Sequence, residues 1–99
     1  MNMKLLIVED DADFADALRR AMARRNIETA HAADAAEARL LAERFHPTHA
    51  VVDLKLPGDS GLKVVADLFA RTPPPAIVVL TGYASITTAV EAVRLGARH

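Results

Sequence analysis

Four residues of this 99-residue chain carry most of its chemical potential: Glu9, Asp10, Asp53 and Thr81. Glu9 and Asp10 leave the apolar run KLLIV at residues 4–8, Asp53 ends the run AVV at 50–52, and Thr81 follows AIVVL at 76–80. Runs of this kind, apolar throughout, are what a strand buried on both faces requires. In an open parallel sheet ligands gather outside the carboxyl ends of the strands, where strand order reverses. Three carboxylates meeting there raise one another's pKa and cost stability unless a cation joins them, and hard oxygen ligands with room for water suit Mg²⁺. An acid, a divalent ion and a hydroxyl donor together suit acceptance of a phosphoryl group. Asp53 would be the nucleophile, Mg²⁺ would neutralise the equatorial oxygens, and Thr81 would donate to one of them.

The elements that must position these residues follow from periodicity. After Val8 the pattern changes to helical spacing, with Phe14, Ala17, Leu18, Ala21 and Met22 on one stripe of a helix over 12–25. Arg19, Arg20, Arg24 and Arg25 lie mostly off that stripe and read as its solvated side. Residues 27–31 (IETAH) form a short strand, and Asp34 with Glu37 resembles a capping box opening a helix through Phe45. Strand character returns at 49–52. Ser60 caps a helix carrying Leu62, Val65, Leu68 and Phe69, which Pro73 to Pro75 stop; Ser85 caps a last helix with Ile86, Ala89, Val90 and Val93 on one face and Gly96 as its terminator. The order βαβαβαβα demands right-handed crossovers and predicts an α/β doubly wound parallel sheet with helices on both faces.

Composition narrows the function classes. With 52% hydrophobic and 25% charged residues the chain reads as one globular domain, and a net charge of −1 lacks the cationic excess of a nucleic-acid surface. There is no cysteine, hence no disulfide and no thiolate zinc site, and no signal peptide or membrane span, so a cytoplasmic location is expected. His31, His46, His49 and His99 lack metal-ligand spacing. Asp11 reads as a helix cap. The turn after the first strand is acidic rather than glycine-rich, which excludes a nucleotide-binding half-domain. A haloacid-dehalogenase-type phosphatase wants a second acid two residues after the nucleophile, where this chain has Lys55.

VEDD at 8–11, DLKLPGDSG at 53–61 and LTG at 80–82 resemble the three sequence blocks of the response-regulator receiver domain, the CheY-like fold of two-component signalling. The wording of DLKLPGDSGL and LTGYASITTAVEAVRLGA is similar to that of the redox-responsive global regulators of bacteria, in which a receiver precedes a helix-turn-helix DNA-binding domain. The resemblance implies sheet order 2-1-3-4-5, Asp53 as phosphoacceptor and Thr81 as the phosphate-sensing hydroxyl. It implies that Asp10 touches Mg²⁺ directly, that Glu9 acts largely through water and that the Lys55 backbone carbonyl is a further ligand, in a loop shaped by Pro57 and Gly61. A sensor histidine kinase would donate the phosphoryl group, and DNA would be reached only through an output domain outside these residues. The receiver would catalyse only its own phosphorylation.

The family pattern also has a fifth strand followed by a lysine that touches the phosphate, with a switch aromatic just before that lysine; the lysines here are Lys4, Lys55 and Lys63. Residues 1–99 are therefore expected to be a receiver truncated at its C-terminus, with order 2-1-3-4 and impaired phosphotransfer. Strand 76–80 would be an open edge and a helix stripe would be bare, favouring self-association. The alternative is a pseudo-receiver, a protein-interaction module that is not phosphorylated.

Overall fold

The computed structural model describes residues 2–56, 60–80 and 86–96. The elements run β1 (Lys4–Val8), α1 (Ala12–Ala23), β2 (Glu28–Ala32), α2 (Ala35–Phe45), β3 (His49–Asp53), α3 (Ser60–Phe69), β4 (Ala76–Leu80) and α4 (Ile86–Gly96). The strands form one parallel sheet of order β2-β1-β3-β4, with Val8 level with both Ala32 and Val52, and Asp53 level with Leu80. The chain leaves β1 towards one edge and β3 towards the other, so strand order reverses between β1 and β3. That reversal opens a crevice beyond Val8 and Asp53.

Strand alternation divides the core in two. Leu5, Ile7, Val51 and Leu80 pack against Leu18, Ala21 and Met22 of α1 and against Ala89, Val90 and Val93 of α4. On the opposite face Leu6, Val8, Ala50 and Val52 meet Ala38 and Ala42 of α2 and Val64 and Leu68 of α3. Because β1 and β3 are covered on both sides, nothing in them is polar between their first residues and the acids at their ends.

Helix starts are chemically marked where they are described. Asp11 caps α1, its carboxylate accepting from Phe14 N at 3.1 Å, and Asp34 caps α2, accepting from Glu37 N at 2.8 Å. Glu37 reaches back one residue further than a capping box requires, to Ala33 N at 2.9 Å. Among the described residues no helix is long and apolar enough to cross a membrane.

Two sequence expectations change. Helix α1 ends two residues earlier than residue 25, with Asn26 in the left-handed region at φ 59° opening the turn to β2. On α3 the buried stripe is Gly61, Val64 and Leu68, whereas Leu62 and Phe69 are 60% and 64% exposed. Among the described residues the exposed apolar helix stripe accordingly lies on α3, because α4 packs beside α1 and covers the apolar face of α1 together with the adjacent faces of β3 and β4. On the α3 side of β4 Val79 stays 43% exposed. The capping roles expected of the Ser60 and Ser85 side chains lie outside the described residues.

Candidate acidic site at the strand ends

Glu9 is the first residue past β1 and Asp53 the last of β3, and the two are only 8% and 7% exposed. Asp10 follows at the solvent rim. One carboxylate oxygen from each of Glu9, Asp10 and Asp53 lies within 4.8 Å of the others. The convergence inferred from strand-end placement is therefore present in the structure, produced by the register that sets Val8 beside Val52.

Each acid is held by backbone. Glu9 Oε2 accepts from Asp11 N at 3.1 Å, and Asp53 Oδ1 accepts from Lys55 N at 2.9 Å. The backbone of Glu9 is clamped to β2 from both sides: its N–H donates to Ala32 O at 3.0 Å, and its carbonyl accepts from His31 Nε2 at 2.7 Å. His31, set aside in the sequence for want of metal-ligand spacing, is thus a positioning residue. The signal was its place, one residue from the end of β2 and level with Ile7.

Gly61 is required by close approach. A Cβ there would stand 2.8 Å from the Asp53 carbonyl oxygen and 3.0 Å from Leu54 Cα, so α3 can begin against the end of β3 only with glycine at its second position. The sequence marked Gly61 as a loop-shaping residue, and the contact gives the reason.

Electrostatics follow from crowding. Burial pushes the Glu9 carboxyl from its usual 4.5 up to about 7, and the hydrogen bonds and charge of Asp53, with a smaller part from Asp10, push the same way against the Asp11 N–H. Three hard oxygen donors that repel one another, two of them shielded from water, suit a small divalent cation. The donor set fits Mg²⁺ or Ca²⁺. Thr81 and Pro57 lie outside the described residues, so their expected roles remain with the sequence.

The chain matches the response regulator receiver domain family over residues 5–99. It is 44% identical over 93 residues to the photosynthetic apparatus regulatory protein RegA of Rhodobacter capsulatus, covering 94% of this chain and 50% of RegA. It is 45% identical over 93 residues to the acid tolerance regulatory protein ActR of Rhizobium meliloti, covering 94% of this chain and 48% of ActR. The chain thus spans about half the length of these curated relatives. A crystal structure of a response regulator from Burkholderia pseudomallei, with a phosphorylated aspartic acid, a calcium ion and citrate, superposes with TM-score 0.77 at 41% identity, covering 94% of this chain and 55% of that one. A signal receiver domain from Bermanella marisrubri shares the fold with TM-score 0.84 at 19% identity, covering 98% and 99% of the two chains. Four parallel strands in order 2-1-3-4, an acidic cluster at the point of reversal and these matches together establish that the chain belongs to the response regulator receiver domain family of two-component signalling.

Proposed function

We infer that Asp53 is the phosphoacceptor of this receiver, that Glu9, Asp10 and Asp53 hold Mg²⁺, and that the Lys55 carbonyl and the Thr81 hydroxyl complete the site. The carrying observation is the convergence of three carboxylate oxygens within 4.8 Å at the crevice between β1 and β3. The phosphorylated aspartic acid and calcium ion of the Burkholderia pseudomallei protein support the same chemistry.

The donor is a phosphohistidine of a sensor kinase. As the P–N bond to its imidazole breaks, an Asp53 carboxylate oxygen forms the new P–O bond, and the imidazole takes up a proton as it leaves. Lys55 N–H fixes the plane of the attacking carboxylate through Oδ1. Burial raises the Glu9 carboxyl to about 7 in the metal-free site, and Glu9 must be ionised to serve a divalent cation. When bound, the divalent cation neutralises the charge that gathers on the phosphoryl oxygens. The reaction is the receiver's own modification rather than turnover of a small substrate. An output domain outside these residues would carry the signal to DNA, and the uncharged strand β4, paired on one side only among the described residues, supports association of the chain with itself.

Incubation with acetyl phosphate and Mg²⁺, read by intact mass, tests the assignment. A gain of one phosphoryl group in the parent chain and none in Asp53→Asn is expected. Modification of Asp53→Asn to the same extent would overturn the assignment, and failure of the parent chain to take up phosphate or to bind beryllofluoride would favour the pseudo-receiver.

A further inference from the structure

The turn that carries two of the three converging carboxylates is tied to β2 by a side chain where a backbone bond would be expected. In the parallel ladder of β1 and β2, Val8 stands level with Ala32, and Glu9 N donates to Ala32 O at 3.0 Å. The next rung of such a ladder would bring the Asp34 N–H to the Glu9 carbonyl. Here β2 ends at Ala32 and the chain turns into α2, with Asp34 as N-cap and Ala33 N donating to Glu37 Oε1 at 2.9 Å. The His31 ring stands in for that rung, its Nε2 lying 2.7 Å from Glu9 O. A carbonyl oxygen only accepts, so Nε2 carries the hydrogen.

A peptide unit is planar and contains the Cα atoms of both residues it joins. The unit that His31 grips joins Glu9 to Asp10, so this one bond anchors the backbone from which both acids project. Asp53 is placed by different means, at the end of β3 with its Oδ1 accepting from Lys55 N at 2.9 Å. The meeting of the three carboxylates within 4.8 Å thus depends on His31 for two of its members. Carboxylates so close repel one another, and Asp10 stands at the solvent rim, so a turn released from β2 would swing that acid outwards.

We propose that His31 sets the affinity of the acidic site for its divalent cation, as a positioning residue acting through the Glu9–Asp10 peptide. The inference rests on the metal-binding reading given above. It requires an N–H at this position rather than an imidazole. His31→Gln keeps such a donor at similar reach, whereas His31→Leu fills the space without one.

The test is calorimetric titration of the parent chain and both variants with MgCl₂ at pH 8, with amide exchange measured alongside in EDTA. His31→Leu should bind Mg²⁺ about tenfold or more weakly than the parent, and His31→Gln within about threefold of it. In EDTA the Asp11 amide, which donates to Glu9 Oε2, should exchange about tenfold faster in His31→Leu, while the Leu6 and Ile7 amides inside β1 keep the parent rate. Calorimetry reads molecules already folded, so a residue that only held the fold together would leave the affinity unmoved. Should His31→Leu fail to fold, His31→Thr replaces it, being suited to a strand and too short to reach Glu9 O. Equal Mg²⁺ affinity in the parent and the donor-free variant, His31→Gln as weak as His31→Leu, or an Asp11 amide indifferent to the loss of the donor would overturn the role of His31 and leave the metal site standing. A parent chain that binds no Mg²⁺ would overturn the metal-binding reading and this inference with it.

Discussion

Replacing Glu9 by Gln should make the metal-free protein more stable at pH 8 while leaving it little changed at pH 5. The Glu9 carboxyl sits at about 7 in the fold, against 4.5 for an ordinary glutamate, first because it is buried and then because Asp53 and Asp10 face it. The native state therefore holds this proton more tightly than the unfolded chain does. Stability from this group is fully present below pH 4.5 and is lost as pH rises through 7. At about 1.4 kcal/mol per pH unit the displacement is worth about 3 kcal/mol, reduced to about 2 kcal/mol because the cluster borders water at Asp10. Glutamine keeps an oxygen for the Asp11 N–H and carries no charge. Urea unfolding of both chains in EDTA between pH 5 and pH 8 isolates the effect, since all other titrating groups are common to the two. The parent should fall by about 2 kcal/mol relative to Glu9→Gln across that range. Parallel curves would show that the crowding of the three carboxylates has no energetic consequence, and the electrostatic argument for a cation site would fail with it.

The same crowding predicts that millimolar Mg²⁺ raises the midpoint of the parent chain at pH 8, and that Asp53→Asn loses most of that shift; thermal unfolding with and without EDTA reads both. Gly61→Ala should cost about 1–3 kcal/mol, because its Cβ meets the Asp53 carbonyl oxygen at 2.8 Å and the backbone must move; denaturant titration measures it, and a neutral result would contradict the close approach. Val93→Ala should cost about 1–3 kcal/mol, since Val93 is fully buried between α4 and the α1 side of the sheet. An inconsequential Val93→Ala would place α4 elsewhere. Phe69→Ser should change the unfolding free energy of the isolated chain by no more than about 0.5 kcal/mol, as an exposed position requires.

Local rules carried a large part of the structure. Continuous apolar runs ending in acid specified β1 and β3 and the end at which their carboxylates emerge, and β4 falls on the residues its apolar run indicated. Asp11 and Asp34 announced two helix starts because an N-cap is a short-range contact between a side chain and a backbone three residues on. The phase of α3 was less legible: Leu62, Val65, Leu68 and Phe69 and the alternative set Gly61, Val64 and Leu68 both satisfy helical spacing. Only the position of α2 and the sheet selects the second.

Periodicity and the handedness of crossovers are legible along the chain, so the alternation of strands and helices, hence a parallel sheet, and the identity of the acids at its carboxyl ends could be read before any fold was known. The rest depends on neighbours distant along the chain. The pairing of Val8 with Val52 brings Asp53 within reach of Glu9, His31 on the adjoining strand grips the Glu9 carbonyl, and burial between strands lifts the Glu9 carboxyl towards neutrality. The seat of α4 beside α1 is likewise tertiary: its apolar stripe specifies that it must be covered, and the uncovered faces of α1, β3 and β4 specify where.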